Sequence, residues 1–568
     1  MRRQIAEKWF VAVLIGIQVL VLFLFACQKK GYFIDEIYSW GLSNGYYKPF
    51  ITSYDTIFEH WLDGEEFQDY MTVQQGERFS YASVYDNQTQ DVHPPLYYMA
   101  MHTICSFMPD YYNKWQGILL NVFFYMGCLA MIFLTARILF QSDRKALAAM
   151  AVWGFSPGGL STGIYIRMYM MMTFFTMVSV YLHVRLIKEG QKAKILFGIC
   201  LATFLGLLTQ YYFVFMAFFL SAAYVLWKVW NKKWKEGIIY SVALLGSVGL
   251  MVLVYPACIL QLTRTDEFVA NETRNNFANG GVMLRNLISY ISDINLDFFA
   301  GRIREAAVIA ILVIAFFLWK KTQLFKKQRQ ISNTLQDNSH RIFPVTANFL
   351  KQLYLLSLES GDSIALVLLA VWILSFLSVS MVAVVTGVRY IYNLYPLFSI
   401  LAVWGTVKFI EWGIGKGRIS NKIQMAFLIL AGFLFLRGYQ SGYVRYLYPE
   451  NQKRVELAEQ YQDLYCLYID NYENAPLTQD LVELSKFKGV YVMPQERIWQ
   501  VQEILEGKDY SNGLIVYVDT NEFWSSGYDG QKVMEQLRAE LGAEDFQYLY
   551  DNELSETYLL RGGMLVVN

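Results

Sequence analysis

Long apolar segments separated by short basic loops make up most of residues 1–439. A helix needs about 20 apolar residues, with a range of roughly 17–25, to cross the hydrocarbon core of a bilayer. An α-helical polytopic membrane protein is therefore predicted, with about eleven transmembrane helices. The predicted spans lie near 9–27, 116–138, 146–163, 168–187, 194–210, 212–229, 238–260, 304–319, 362–386, 391–411 and 423–438.

The first apolar segment has a basic flank, which it shares with secretory signal peptides. Its apolar run is long for a signal peptide, and the following CQKKGYF contains no convincing cleavage site of small residues. We therefore interpret this segment as an uncleaved first span.

A shorter apolar segment, 96–107, follows the adjacent prolines Pro94 and Pro95. If this segment does not cross the bilayer, all the basic loops lie on the same side as the N-terminus, as the positive-inside rule requires. We therefore predict a helix that lies in the outer membrane interface and begins at the prolines. The residues that suit the aromatic belt of such an interface are Tyr97, Tyr98, Met99 and Met101.

The tail alternates short strand-like and helix-like runs, a pattern that favours a small α/β domain over residues 440–568. This domain is extracytoplasmic if the number of spans is odd. Residues 1–439 form the predicted transmembrane domain, with a first outer loop at 28–115 and a cytosolic loop at 320–361. The strand-like runs are 464–469, 489–494 and 513–519, and the helix-like runs are 478–487, 496–506 and 529–541.

Composition supports a membrane location and excludes little else. Hydrophobic residues make up 55% and charged residues 17% of the 568 residues, which is too apolar for an ordinary soluble protein. The 48 basic and 48 acidic side chains balance, so net charge does not indicate a partner, and we predict no nucleic-acid binding. The chain has no CxxC pair and no DxD motif in the outer loops. We therefore predict no metal or other cofactor, although a divalent metal stays an open alternative.

Charged side chains recur at the predicted outer ends of the spans. Charged residues near the bilayer are energetically costly and often have a function. Taken singly, each has an ordinary explanation: an acid in a solvated loop, or an arginine that reaches toward lipid headgroups. Their arrival from distant parts of the chain at one face and one depth favours a common site. These residues are Asp35, Glu36, Asp91, His93, Arg167 and Arg389.

Four motifs, FIDE, HPPLYY, IRMY and VRYIYNLYP, occur in this order along the chain. Together they resemble the GT-C glycosyltransferases, and most specifically glycosyltransferase family 39, which contains protein O-mannosyltransferases and aminoarabinose transferases. The resemblance covers roughly residues 1–440. It implies a lipid-linked sugar donor, usually a polyprenyl-phosphate monosaccharide. It also implies transfer on the non-cytosolic side of the membrane with inversion at the anomeric carbon.

Such a transfer needs a base for the acceptor hydroxyl and cations for the phosphate leaving group. The resemblance assigns the base to Asp35, supported by Glu36. The candidates for binding the donor phosphate are Arg167, Arg389, Lys114 and His93, and further site residues are Asp91, Tyr169, Tyr390 and Gln210.

Two positions depart from the family pattern. Gln210 stands where many relatives have a histidine, and Lys114 stands where relatives usually have an arginine. The identity of the sugar is therefore not carried over from the family.

We predict a multi-pass plasma-membrane enzyme that moves a sugar from a polyprenyl-phosphate donor to a hydroxyl of a glycan, lipid or protein, with its active site outside the cytosol. A polytopic transporter is the main alternative, and it would place charged or broken spans near the bilayer midplane. Two further alternatives are a GT-C-type ligase or polymerase with a pyrophosphate-linked donor, and a membrane scaffold that displays residues 440–568.

Overall fold

The computed structural model describes residues 2–53, 57–263, 276, 279–334, 360–384, 386–471, 474–522 and 527–561. The chain divides into two compact units. The helical unit comprises Met1–Phe25 and Asn121–Arg445, and the mixed unit comprises Ala26–Leu120 and Tyr446–Asn568. The first outer loop and the tail thus share one unit, and the predicted domain boundary at 439/440 stays a prediction.

Helices account for most of the described chain. In chain order they are α1 (Arg2–Gln28), α2 (Ile34–Asn44), α3 (Gly64–Asp69), α4 (Tyr81–Gln90), α5 (Leu96–Ser106), α6 (Lys114–Phe140), α7 (Asp143–Gly154), α8 (Pro157–Ile164), α9 (Tyr169–Glu189), α10 (Ala193–Leu207), α11 (Phe213–Trp230), α12 (Trp234–Val254), α13 (Ala257–Thr263), α14 (Gly280–Phe299), α15 (Ile303–Thr334), α16 (Gly361–Val382), α17 (Tyr395–Ile414), α18 (Arg418–Gln440), α19 (Asn451–Gln460), α20 (Asn474–Leu484), α21 (Val501–Ile504) and α22 (Gly530–Leu541). Short 3₁₀ helices lie at Gln75–Glu77, Val388–Leu394 and Gln495–Gln500.

Among the described residues, eight helices are long and apolar enough to cross a membrane. The α-helical polytopic architecture is thereby confirmed, whereas the predicted count of about eleven spans is not. The eight segments are Trp9–Gln28, Lys114–Phe140, Tyr169–Glu189, Phe213–Trp230, Trp234–Val254, Gly361–Val382, Val388–Ile414 and Arg418–Gln440.

One predicted span, 146–163, is two short helices, α7 and α8. Ser156 caps α8, since its Oγ accepts a hydrogen bond from the backbone N–H of Gly159 at 3.0 Å, and Pro157 occupies the first turn. Proline lacks the N–H that a continuous helix would need there. A Cβ at Gly159 would lie 2.1 Å from the carbonyl oxygen of Trp153, so only glycine allows this close turn.

The predicted interfacial helix exists as α5, and its 11 residues span about 16 Å, too short to cross a bilayer. The side chains of Tyr97, Tyr98 and Met101 are buried, so these residues do not form the exposed aromatic belt that the sequence suggested. These side chains are buried because α5 packs against α2. At this contact His102 Nδ1 lies 2.8 Å from the carbonyl oxygen of Ser43.

The mixed unit contains six strands: β1 (Trp61–Leu62), β2 (Tyr465–Ile469), β3 (Gly489–Met493), β4 (Leu514–Asp519), β5 (Asp545–Asp551) and β6 (Ser555–Arg561). They form one sheet in the order β1-β3-β2-β4-β6-β5. Strands β2, β3 and β4 are parallel, while β1, β5 and β6 pair antiparallel with their neighbours. Every residue of β4 is buried, as expected of a central parallel strand covered on both faces. The predicted C-terminal α/β domain is confirmed by this sheet.

The edge strand β1 comes from the first outer loop and pairs with β3. Trp61 of β1 packs its ring 5.0 Å from that of Tyr465 and 5.5 Å from that of Tyr491. Its indole N–H also donates a 3.0 Å hydrogen bond to the carbonyl oxygen of Ile504. These contacts join the first outer loop to the tail within the mixed unit.

Candidate functional site

Three segments of the helical unit converge on Tyr390. The ring of Tyr212, from the turn between α10 and α11, stacks on it with a centroid distance of 4.7 Å. The ring of Tyr169, the first residue of α9, approaches it edge-on at 6.2 Å. We call Tyr169, Tyr212 and Tyr390 the tyrosine cluster. It brings together the IRMY motif, the VRYIYNLYP motif and the turn that contains Gln210.

Two arginines belong to these segments. The guanidinium carbon of Arg389 lies 5.2 Å from the ring centroid of Tyr390, within the range of a cation–π interaction. Arg167 is buried in the turn between α8 and α9. Its backbone N–H donates a 2.8 Å hydrogen bond to the carbonyl oxygen of Tyr165, and Asn121 Nδ2 donates to the same oxygen at 2.6 Å. The turn that carries Arg167 is thus held by α6.

Gln210 is buried, and its Oε1 accepts a 2.6 Å hydrogen bond from the backbone N–H of Tyr211. The hydroxyl of Tyr211 in turn donates to Oε1 of Gln261 at 2.5 Å. These bonds shape the turn that presents Tyr212 to the cluster. The described contacts of Gln210 are therefore those of a residue that orders this turn.

An ionic network that the sequence did not predict lies next to this region. Arg445 Nη2 lies 2.7 Å from Asp293 Oδ1, and Tyr395 donates a 2.6 Å hydrogen bond to Asp297 Oδ2. Burial raises the pKa of Asp297 to about 7, although the nearby Arg445 guanidinium opposes the shift. Tyr395 begins α17 directly after the 3₁₀ helix that carries Arg389 and Tyr390, so the network anchors the end of that segment.

The predicted acids Asp35 and Glu36 lie in the first turn of α2 in the mixed unit. Glu36 is fully buried and pairs with Lys29 at 2.8 Å, and its Oε2 also accepts a 2.8 Å hydrogen bond from the backbone N–H of Phe33. Lys29 Nζ donates in addition to the carbonyl oxygen of Tyr446 at 2.7 Å. These contacts give Glu36 a structural role in capping α2.

Asp35 differs from its neighbour, since its side chain is only half-buried. It lies in the first turn of α2, at the positive end of the helix dipole. The backbone carbonyl of Asp35 accepts a 3.1 Å hydrogen bond from the hydroxyl of Ser39. Asp35 is therefore held in place through its backbone.

The other three candidates also lie in the mixed unit. His93 Nδ1 lies 2.8 Å from Asp91 Oδ2, and both side chains stay partly exposed just before α5. Lys114 Nζ donates to the carbonyl oxygen of Lys29 at 2.6 Å and to that of Cys27 at 3.3 Å. Lys114 therefore ties the first residue of α6 to the chain that follows the first span.

Within the part of the chain that the structure describes, no group of three or more His, Cys, Asp or Glu side chains could hold a metal ion. The roles of the individual candidates, and the expectation that no cofactor is needed, stay predictions.

Residues 86–269 match the family described as dolichyl-phosphate-mannose-protein mannosyltransferase, PMT. This match includes Asp91, His93, Lys114, Arg167 and Gln210. No curated protein matches the chain in sequence.

Solved structures resemble the whole chain. ArnT from Cupriavidus metallidurans in the apo state aligns with a TM-score of 0.50 and 10% identity over 98% of each chain. The same protein bound to undecaprenyl phosphate gives a TM-score of 0.49 and 10% identity over 97% of this chain and 98% of that one. The oligosaccharyltransferase AglB from Archaeoglobus fulgidus, in complex with an inhibitory peptide and a dolichol-phosphate, aligns with a TM-score of 0.42 and 9% identity. This alignment covers 90% of this chain and 69% of that one.

The family match covers the segment that contains the HPPLYY and IRMY motifs. The likeness to ArnT covers the membrane helices and the sheet-containing tail, so the resemblance suggested by four short motifs is confirmed at the level of the fold. Residues 86–269 thus match a mannosyltransferase family and the chain as a whole has the fold of ArnT, which together support a membrane glycosyltransferase of the GT-C superfamily.

Proposed function

We propose that this chain transfers a monosaccharide from a polyprenyl-phosphate donor to an acceptor hydroxyl, and that Arg389 and Arg167 bind the donor phosphate. The observation that carries the proposal is the convergence of both arginine motifs on the tyrosine cluster. The PMT family is named after dolichyl-phosphate-mannose, and the structure of ArnT has been solved with bound undecaprenyl phosphate. Both ligands are isoprenoid phosphates, which supports this class of donor.

Charge accumulates on the donor phosphate as the bond from the anomeric carbon to the phosphate oxygen breaks. A guanidinium stabilises that charge well, because its planar fork donates two parallel hydrogen bonds to phosphate oxygens. Tyr390 lies against the Arg389 guanidinium and restricts its orientation. An arginine that is already oriented loses less entropy when the phosphate binds.

The acceptor oxygen attacks the anomeric carbon while a base takes its proton, and the electron pair of the breaking bond leaves with the phosphate. A single displacement of this kind inverts the anomeric configuration. We assign the base to Asp35 on the strength of the FIDE motif and of its half-buried carboxylate. The placement of the basic loops supports a reaction on the non-cytosolic side of the membrane.

Kinetics of Arg389→Lys with a synthetic polyprenyl-phosphate sugar in proteoliposomes test the phosphate assignment. A hydrogen bond to a charged group contributes about 1.5–3 kcal/mol, so kcat/KM should fall at least roughly tenfold. Lysine keeps the charge but not the fork, so the loss should persist at high donor concentration if the contact strengthens in the transition state.

The matched control is Arg302→Lys, which alters an exposed arginine of the same unit that pairs with Glu305 at 2.5 Å. This control should retain wild-type kinetics. Wild-type kcat/KM in both Arg389→Lys and Arg167→Ala would remove the two arginines from the donor site. Uptake of the labelled sugar lipid into vesicles without transfer would instead support a transporter.

A further inference from the structure

A cavity of about 680 Å³ lies among α7, α15, α17, α18 and the end of α14 in the helical unit. Most of its wall is aliphatic or aromatic. Its polar residues lie mainly next to or within the first two turns of α7 and α18, so they gather at one end of the cavity. They are Ser142, Arg144, Lys145, Thr406, Asn421 and Gln424.

The polar end of the cavity carries an excess of positive charge. Lys145 pairs with Glu411 at 3.1 Å, and Lys408 pairs with Asp362 at 2.6 Å. Arg144 lines the cavity and is exposed, and it has no ion-pair partner among the described residues. Two more cations of this end, Arg418 and Lys422, also have no ion-pair partner within the described chain. The mouth is therefore suited to an anionic group.

The cavity also opens to the side of the unit. Ile309 of α15 and Met425 and Leu430 of α18 line it and are exposed at the same time. Since α17 and α18 are long and apolar enough to span a membrane, this opening faces the region that lipid chains occupy. An occupant must be apolar along most of its length and negatively charged at one end. A phospholipid with an anionic headgroup combines these properties.

We propose that this cavity binds one anionic phospholipid of the bilayer, with its headgroup at Arg144 and its acyl chains between α15, α17 and α18. The site differs from the proposed donor site. Its polar end is the distant one: Phe409 lies 14 positions after Tyr395, about 21 Å along α17, whereas the apolar end reaches Phe298, whose ring lies 5.0 Å from that of Tyr395. The lipid fills the space between α15 and the two spans, so its binding stabilises the helical unit by mass action.

Native mass spectrometry of the full chain in detergent tests the proposal with two lipids, dioleoyl phosphatidylglycerol and dioleoyl phosphatidylcholine. The wild type should retain one phosphatidylglycerol and bind it more tightly than phosphatidylcholine. Arg144→Gln should weaken phosphatidylglycerol binding about tenfold, since it removes a hydrogen bond between charged groups, and should leave phosphatidylcholine binding unchanged. Arg185→Gln, a basic residue that does not line the cavity, is the control and should behave as wild type.

A second variant tests the apolar part of the site. A Cβ at Gly405 would meet no atom within 4 Å, so the side chain of Gly405→Leu can enter the cavity without distorting α17. This variant should lose phosphatidylglycerol binding, and the lipid should no longer raise its thermal unfolding midpoint. Its unfolding midpoint without lipid should be at least that of the wild type, because leucine fills space and favours the helix over glycine.

Two results would overturn the proposal. Equal affinity of the wild type for both lipids, unaffected by Arg144→Gln, would mean that the cavity holds only bulk acyl chains. Photo-cross-linking from position 405 to another part of this chain, with no lipid adduct, would mean that the protein fills the cavity itself. These measurements need no sugar transfer, so they stand apart from the test of the donor site.

Discussion

Two adjacent acidic residues, Asp35 and Glu36, differ in the burial and the contacts of their side chains. The Glu36 carboxylate is fully buried against Lys29 and caps its own helix, whereas the Asp35 side chain is half-buried. Removing one partner of a buried ion pair costs about 3–5 kcal/mol, because the other charge is left without compensation. Substitutions at the two positions should therefore fail in different ways.

Asp35→Asn preserves size and removes the base. Because general-base catalysis contributes about 10²–10⁴-fold, turnover should fall by that factor while the thermal unfolding midpoint and donor binding stay unchanged. Glu36→Gln should lower the unfolding midpoint, with a smaller effect on turnover of the folded fraction. Asp463→Asn, at an exposed position of the mixed unit, is the control. Near-normal turnover in Asp35→Asn would move the base elsewhere, and Asp91 would be the next candidate.

At this scale, the sequence revealed the arginines and tyrosines, because each lies in a short motif at the end of an apolar segment. The sequence did not predict the Arg445 network, since Arg445 and Asp293 are 152 residues apart and neither belongs to a recognisable motif. A local signal did exist: Asp297 lies in the apolar run NLDFF, and a buried acid in such a run needs a partner.

Among the elements, helices α19 and α20 are joined by a buried cluster with one cation and two acids. Arg454 Nη2 lies 2.5 Å from Asp480 Oδ1, and Arg454 Nε lies 3.3 Å from Glu483 Oε1. Ser555 also donates a 2.6 Å hydrogen bond to Asp480 Oδ2. Glu483 therefore has weaker partners than Asp480, since its contact with Arg454 is the longer one. Burial raises the pKa of Glu483 to about 7.

This raised pKa makes the contact between α19 and α20 depend on pH. The folded state holds a proton on Glu483 that the unfolded state releases near pH 4.5, so the stabilisation is complete below that pH and is lost as pH rises through about 7. The free energy of opening at α20, measured by hydrogen exchange, should fall between pH 5 and pH 8 by at most about 3 kcal/mol.

Glu483→Gln should remove most of this pH dependence and protect α20 at pH 8, because the neutral amide needs no proton. The control is Glu459→Gln, at an exposed position on α19, which should keep the wild-type profile. A profile in Glu483→Gln that still matches the wild type would show that another group titrates in this range.

The sequence predicted several of these elements closely, because apolar runs bounded by polar turns reveal strands. Strands β2, β3 and β4 coincide with the predicted runs within one residue at either end. The break between α7 and α8 was missed although SPGG stands at that point, since the apolar residues continue on both sides. The strand β1 has only two residues, and its existence depends on the partner strand β3.

For the whole molecule, the number and direction of the spans decide on which side the proposed chemistry takes place. The basic loops predict that residues just before α6 face outward and that the loop after α9 faces the cytosol. Tyr111 and Lys192 are both exposed and suit single cysteine substitutions in a background without native cysteines.

In sealed vesicles of known orientation, an impermeant thiol reagent should label Tyr111→Cys from the outer side only and Lys192→Cys from the cytosolic side only. Reagent added after permeabilisation should label both variants fully, which serves as the control. Labelling of both from the same side would contradict the arrangement of spans, and with it the placement of the reaction outside the cytosol.

The strands β1 and β3 pair in the sheet although β1 is synthesised long before β3. Trp61 faces Tyr491 in the sheet, about 430 residues later in the chain. During synthesis, the Trp61 ring therefore stays uncovered until the membrane helices and then the tail have been made. A chain that stops near residue 440 would never cover this ring. Chaperones and proteases that recognise exposed apolar surface could thus tell finished from unfinished copies.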